Sequence, residues 1–175
     1  MGGGREVANR TDHAMRLVDE CRTFMSGFPT GVAVVSGVDA QGLPRGVTCS
    51  SLISVTVDPP ILMVSLSTRS GTLEAIRRLG AFGVNQLPGR AKEIAQLFAS
   101  GRPDRFQSVR WQPRGRLGLP WLVDHCRGWA ECAVREILMI EDHALVVGDA
   151  VDICSTSEAP LLHGFRGFAT WQAAL

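Results

Sequence analysis

The stretch RGVTCSSLISVTVDPPILMVSLS, residues 45–67, has the clearest strand pattern in the chain. It is rich in Val, Ile, Leu and Thr, as β-strands are, and the pair Pro59-Pro60 divides it into two apolar runs. Proline cannot donate a hydrogen bond to a neighbouring strand, so we expect the break at an edge or corner of a sheet. Near the start stands the run TCSS, residues 48–51. Four small, mostly polar side chains gain little from burial, so this run indicates a surface that is kept open.

Outward from this stretch, the pattern predicts a mainly β fold with short helices. Strands are expected at 31–38, 81–87, 128–140 and 143–154, with a last short strand within 160–171; helices at 12–26, 70–80 and 89–100; a turn at 39–46; and a loop at 101–120. The strand–helix–strand alternation of a parallel sheet is absent, and Glu141-Asp142 is a plausible hairpin turn. A closed or nearly closed antiparallel barrel is therefore the economical architecture.

The length and charge of the chain limit the number of domains and the kinds of partner to expect. The chain has 175 residues, enough for one domain, and a formal net charge of +1. This balance gives no electrostatic reason to expect nucleic acid or an anionic membrane as partner. No apolar run approaches the roughly 18 residues that a spanning helix needs. We expect residues 1–10, which are Gly-rich and polar, to form a disordered tail before a single domain over 11–175.

Five cysteines are scattered along the chain, with no pair at C-x-x-C spacing. The odd number and the spacing argue against a disulfide framework or a zinc site. We interpret them as small buried hydrophobes in a cytoplasmic protein. The four histidines show no metal-ligand spacing, so no metal is expected.

Nucleotide-binding glycine motifs and a nucleophile elbow are absent from the sequence. Small polar residues instead stand at strand ends: Thr30-Gly31, residues 48–51, and STRSGT at 67–72. Hydroxyls and free backbone N–H groups at a helix start, beside an arginine, suit a phosphate. Serine and threonine also cap helices and fill turns, so that alternative stays open.

Two further segments have both structural and functional interpretations. His143 follows Asp142 and begins an apolar strand; it is either a hairpin histidine bonded to its neighbour or a group at the rim of a pocket. Phe165 and Arg166 form either an exposed turn or an aromatic and cationic pair for a planar, anionic ligand.

These residues resemble a known family. The segments FPTGVAVVSG, PRGVTCSSLISVTVDPPILMVSLS, AFGVNQL, EDHALVVGDAV and PLLHGFRGF are together similar to the short-chain flavin reductases, the NAD(P)H-dependent reductase components of two-component flavin monooxygenases. The resemblance covers about residues 24 to 168. It implies an antiparallel, Greek-key-like split β-barrel that binds FMN or FAD, usually as a homodimer.

The resemblance also implies roles for individual residues. The flavin would be held by residues at strand ends and helix starts: Thr30, Gly31, Thr48, Cys49, Ser50, Ser51, Ser67, Ser70, Thr72, Phe82 and Asn85. The nicotinamide dinucleotide would be held by His143, Phe165 and Arg166. The chain departs from the family at Glu141, where Gly is common, and at Phe168, where Tyr is frequent.

The expected activity is reduction of free FAD or FMN by NAD(P)H, with the reduced flavin released to a partner monooxygenase. Because hydride passes directly between the two cofactors, no catalytic acid, base or nucleophile is expected. NADH is favoured over NADPH, since no basic cluster is clearly dedicated to a 2′-phosphate, although Arg102, Arg105 and Arg110 would supply one if their loop folded over the site. The alternatives are a non-enzymatic flavin- or haem-binding split barrel and a related oxidase of a phosphorylated vitamin.

Overall fold

The computed structural model describes residues 3–172, and the side chains of residue 13 and of residues 15–172. Three α-helices span α1 Gly3–Ser26, α2 Gly71–Leu79 and α3 Lys92–Ala99. Twelve strands span β1 Thr30–Gly31, β2 Ala33–Val38, β3 Pro44–Cys49, β4 Ile53–Thr56, β5 Ile61–Ser67, β6 Ala81–Gln86, β7 Trp111–Arg114, β8 Leu119–Leu122, β9 Gly128–Ile140, β10 His143–Ser155, β11 Leu161–Gly164 and β12 Gly167–Thr170. The expectation of a mainly β fold with short helices is confirmed.

The central element is a seven-stranded antiparallel sheet in the order β3-β2-β6-β9-β10-β5-β4. Consecutive strands β3 and β4 lie at its two opposite edges, yet only residues 50–52 join them. Three linking residues span at most about 14 Å, so the two edges must approach each other. The sheet is therefore rolled into a split barrel, and β4, which precedes Pro59-Pro60, is an edge strand as expected.

No continuous ladder joins the two edges within the described residues. A side chain bridges them instead: the Ser51 hydroxyl donates to the carbonyl of Ser65 on β5 and accepts from the amide of Ser65, both at 3.0 Å. The same oxygen lies 3.1 Å from Sγ of Cys49, the last residue of β3. This bridge, which we call the seam, explains why residues 45–58 are two strands and not the single predicted one.

Apolar side chains fill the barrel interior. They come from β2, β3, β5, β6, β9 and β10, with Leu73 and Ile76 of α2 closing one end. Helix α2 begins at Ser70, whose hydroxyl accepts from the amide of Thr72, and ends at Gly80 with a left-handed φ of 70°. Both ends thus carry residues that suit them, since serine suits an N-cap and glycine tolerates positive φ.

A second apolar layer covers the outer face of β2. Here α3 packs Ala95 and Phe98 against Val32 and Val34. The small sheet β1-β11-β12 joins the same layer through Leu161. Residues 160–171, predicted as one short strand, form the hairpin β11–β12 because Phe165 and Arg166 turn the chain.

The predicted loop at 101–120 is partly ordered secondary structure. It holds a short 3₁₀ helix at Arg105–Ser108 and strand β7, which pairs with β8. The hairpin is fixed by Arg114, whose guanidinium lies 4.8 Å from the ring centre of Trp121 and 4.9 Å from that of Trp129. These cation–π contacts are long-range in sequence, so local propensity did not reveal them.

Helix α1 differs most from expectation. It begins at Gly3, not at residue 12, because no Pro or Gly interrupts residues 5–26. Residues 1 and 2 of the expected tail lie outside the described residues, and the division into a tail and a domain stays a prediction. The apolar stripe of α1 is exposed to solvent, with Phe24 79% exposed. Among the described helices, none has the length and apolar character required to cross a bilayer.

The cysteines are free, as expected, but not uniformly buried. Cys49 and Cys132 are buried, Cys126 is half-buried, and Cys21 and Cys154 are exposed. Burial raises the pKa of the Cys126 thiol to about 11 and that of Cys132 to about 12. The interpretation as buried hydrophobes therefore fails for Cys21 and Cys154, which stand on α1 and near the end of β10.

Candidate functional site

Three adjoining cavities meet at Leu52, in the connection between β3 and β4. The first, about 590 Å³, lies between the end of α1, residues 50–53 and the β11–β12 hairpin; we call it the α1 cavity. The second, about 350 Å³, is lined by Gly31, Gln86 and Leu162 among others. The third, about 380 Å³, is the open end of the barrel. Each cavity is within the size range of sites for small-molecule cofactors, and because they share Leu52 we describe the three together as one cleft.

Five of the predicted site residues line this cleft. Thr30, Ser50, Ser51 and Arg166 line the α1 cavity, and Gly31 lines the second cavity. They come from β1, from the β3–β4 connection and from the β11–β12 turn. Since β1 pairs with β11, with Thr30 opposite His163, the fold brings residues near 30 and near 165 together.

The other members of the TCSS run have structural contacts. The Thr48 hydroxyl donates to the carbonyl of Ala95 on α3 at 2.6 Å, and Cys49 is buried in the barrel core. Ser51 faces the cleft and also makes the seam with Ser65. The members of the run therefore point in different directions: Thr48 towards α3, Cys49 into the core and Ser51 towards the cleft.

Phe82 and Asn85 do not face the cleft. Phe82 is fully buried in the barrel core. Asn85 is also fully buried; its amide nitrogen donates to the Pro120 carbonyl at 3.1 Å and lies within hydrogen-bonding distance of Val34 and Ser36, and its oxygen accepts from the Leu122 amide at 2.9 Å. These contacts tie β6 to β8 and leave the side chain no free group for a ligand.

The expected phosphate residues after β5 are engaged locally. Ser67 Oγ accepts from the Arg69 amide, Ser70 caps α2, and Thr72 is buried. None of the three lines the cavities described above. Ser67 and Ser70 thus make the contacts of turns and helix caps, which is the alternative that the sequence left open.

His143 lies beside the cleft and not in its lining. It pairs with Ser67 across β5 and β10, two residues along β5 from Ser65 of the seam, or about 7 Å. Its Nδ1 lies 2.8 Å from Oδ1 of Asp142. This hydrogen bond lowers the pKa of Asp142, so the aspartate stays ionised and holds the ring in one orientation. The preceding Glu141 has φ of 49°, a conformation that favours glycine.

The β11–β12 turn is strained. Phe165 and Arg166 have φ of 49° and 59°, although neither is glycine, and the Phe165 ring is 80% exposed. The Phe165 amide donates to the carbonyl of Ser26, the last residue of α1, at 2.6 Å. Strained, exposed backbone of this kind is more common at functional sites than elsewhere.

Sequence reasoning missed several residues of the cleft. Arg22, on α1, and His163, on β11, line the α1 cavity, while Leu52 is common to all three cavities. The polar side of a helix gives no sign that one of its arginines reaches a pocket, so no local pattern identifies Arg22. His163 stands inside the segment PLLHGFRGF and was within reach of that pattern.

The basic residues of the 101–120 segment do not reach the cleft. Arg102 pairs with Asp104 at 2.7 Å, and Arg105 donates to the carbonyls of Phe98 and Ser100. Arg110 lies 3.5 Å from Asp124. Their segment packs over α3 and β8, so these guanidiniums are used within the fold.

Comparison with known proteins identifies the family of this chain. Residues 25–172 match the flavin reductase like domain, and the chain belongs to this family. A flavin reductase (NADPH) from Lentzea aerocolonigenes is 45% identical over 150 residues, which are 86% of this chain and 88% of the relative. A flavin reductase (NADH) from Kitasatospora aureofaciens is 36% identical over 155 residues, 87% of this chain and 81% of the relative.

A solved structure supports the same grouping. The styrene monooxygenase flavin reductase from Pseudomonas putida S12 superimposes with a TM-score of 0.79 at 28% identity. The match covers 88% of this chain and 99% of that one. The resemblance stated from the sequence is thereby confirmed at the level of the family.

Proposed function

We propose that the protein is an NAD(P)H:flavin oxidoreductase that reduces free FAD or FMN. The observation that carries the proposal is the cleft at Leu52, in a chain of this family. On one side it offers small residues and backbone, and its three cavities provide room for two planar rings and their attached chains.

In this proposal the chemistry is direct hydride transfer between the two bound nucleotides. The chain has to bind them, orient them face to face and exclude water. The small side chains of Ser50, Ser51 and Thr30 leave space at the wall of the cleft, so a flat ring can lie against the strand ends. Backbone N–H groups of the β3–β4 connection are the candidates for stabilising negative charge on the reduced ring.

We assign His143 a positioning role at the nicotinamide side, with Asp142 fixing its ring. No proton transfer from it is required. His143→Ala is therefore expected to raise KM for the nicotinamide nucleotide and to leave the binding of flavin alone unchanged.

We further propose that the reduced flavin leaves for a partner monooxygenase. The relative from Pseudomonas putida S12 is by its name the reductase of such a pair. The open cleft supports this, since a flavin bound there is not enclosed. A chain with five free thiols fits the reducing cytoplasm, where we place it.

A homodimer is the assembly we propose. Helix α1 exposes Leu17, Phe24 and Met25, while the β9–β10 hairpin exposes Leu138 and Ile140. So many exposed apolar side chains on two elements favour burial against another protein surface. A second copy of the chain would supply such a surface, because it presents the same helix and the same hairpin.

The test is an oxidation assay with purified protein, NADH or NADPH, and catalytic FAD or FMN, followed by loss of the reduced-nicotinamide absorbance. Turnover that requires both protein and added flavin supports the reductase and ranks the four combinations. The sequence favoured NADH, while the two relatives are named for NADPH and NADH respectively. No turnover, with flavin retained through gel filtration, would leave a flavin-binding module instead.

A further inference from the structure

Two arginines that are far apart in sequence line the same end of the cleft. Arg22 stands on α1, one turn before its end, and Arg166 stands in the β11–β12 turn. The α1 cavity that they share also exposes the hydroxyl-bearing residues Thr30 and Ser50. Guanidinium groups with hydroxyls beside them are the donors that phosphate oxygens attract.

The positive charge at this end of the cleft is only partly neutralised by carboxylates. No carboxylate belongs to the residues that line the α1 cavity. Arg22 lies 3.2 Å from Asp19, but both side chains are more than two-thirds exposed, and such pairs exchange readily for other partners. Among the described side chains, Arg166 has no ion-pair partner.

A backbone contact joins the two elements that carry the arginines. The hydrogen bond from the Phe165 amide to the Ser26 carbonyl joins the arginine-bearing turn to the end of the arginine-bearing helix. The carbonyl end of a helix carries partial negative charge and would repel an anion by itself. Two guanidiniums at that place add positive charge that opposes this repulsion, and Arg166 has a positive φ of 59° there.

We propose that Arg22 and Arg166 together bind a phosphate group of a nucleotide in the cleft. The inference rests on the proposed reductase function and adds to it a recognition site that Arg22 completes. The phosphate has two sources: the phosphate of FMN or FAD, or the 2′-phosphate by which NADPH differs from NADH. The phosphate monoesters of FMN and NADPH are nearly dianionic and the diphosphate of FAD carries two charges in total, so each suits a pair of arginines.

The experiment compares Arg22→Gln and Arg166→Gln with a matched control, Arg16→Gln. Arg16 also stands on α1 and pairs with Glu20 at 3.6 Å, but it does not line the cleft. Each protein is assayed for kcat/KM with riboflavin and FMN as acceptors, and with NADH and NADPH as donors. Riboflavin lacks the phosphate, so the ratio of FMN to riboflavin isolates one source and the ratio of NADPH to NADH isolates the other.

We expect one of the two ratios to fall about tenfold in both variants and to stay unchanged in Arg16→Gln. The ratio that falls identifies the source of the phosphate. If both ratios stay within twofold of wild type in Arg22→Gln and Arg166→Gln, the inference is wrong. Thermal melts and circular dichroism confirm that the compared variants are folded.

Failure of the proposed function has a different signature. If wild-type protein oxidises neither nucleotide, the reductase proposal fails, and the arginine pair is judged by equilibrium binding of FMN against riboflavin and of NADP⁺ against NAD⁺. A preference for a phosphorylated member of either pair that is lost in both variants supports the phosphate site. Equal affinities within both pairs, or preferences that the variants retain, overturn it.

Discussion

Replacing Asn85 by alanine separates a structural role from a flavin-binding one. The substitution removes the acceptor of the Leu122 amide and the donor to the Pro120 carbonyl, both at a fully buried position. A buried amide without a partner costs about 1–3 kcal/mol. The Pro120 carbonyl keeps its bond from the Ser36 hydroxyl, so little is added there. The cavity left by the amide adds about 1 kcal/mol.

We therefore expect Asn85→Ala to lower the free energy of unfolding by about 2–4 kcal/mol. Urea denaturation at one fixed protein concentration should show the midpoint falling by about 1–2 M with the slope unchanged. Gln41→Ala, in an exposed turn, is the control and should change stability by less than about 0.5 kcal/mol. Flavin affinity of the folded variant should match wild type.

The opposite pattern would refute this reasoning. A loss of stability below about 1 kcal/mol, together with flavin affinity weakened tenfold or more, would mean that Asn85 contacts the ligand, as the family resemblance implied.

Three further outcomes are expected. Glu141→Gly should raise the free energy of unfolding by about 0.5–1 kcal/mol in urea titrations, because the φ of 49° costs more for glutamate than for glycine; a lower stability would contradict the strain. At pH 8 the exposed thiols of Cys21 and Cys154 should react rapidly with Ellman's reagent, and all five thiols should react after denaturation. The buried thiols should be slow because a thiol such as that of Cys126, with a pKa of about 11, is only about 0.1% ionised at this pH. Three or more rapid thiols would contradict the burial of the others. The double variant Leu17→Asp/Phe24→Asp should convert a dimer to a monomer in light scattering without loss of fold, because both side chains are exposed in one protomer; a monomeric wild type would refute the dimer.

Elements with strong local signals were predictable. The strands β9 and β10 agree with expectation within one residue, because long β-branched runs flank a short turn. Helix α2, predicted at 70–80, is bounded by Ser70 and Gly80, and such caps are local chemistry. The pairing order was not visible, since nothing in the sequence shows that residues 50–52 cross from one sheet edge to the other.

The site was harder to predict than the fold, for a physical reason. Hydroxyls at strand ends were predicted to contact a ligand, but a hydroxyl such as that of Thr48 can turn to a helix carbonyl as easily as to a ligand. Asn85 looks like a ligand-binding residue until its partners on β2 and β8 are known. Arg22 and Arg166 line one cavity because β1 pairs with β11 and places the end of α1 beside the turn.

The seam has a consequence for motion. Its two hydrogen bonds to Ser65 come from one rotatable side chain, so a single rotamer change of Ser51 breaks both of them without displacing either strand. Such changes take place in picoseconds to nanoseconds in accessible side chains. The barrel can thus open briefly at the wall of the cleft while the hydrogen bonds between its strands stay intact. The Ser65 amide should therefore lose protection from hydrogen exchange before its neighbours do. In the proposed function, a flavin ring that enters and leaves the cleft would pass a wall that rotation of the Ser51 hydroxyl can loosen.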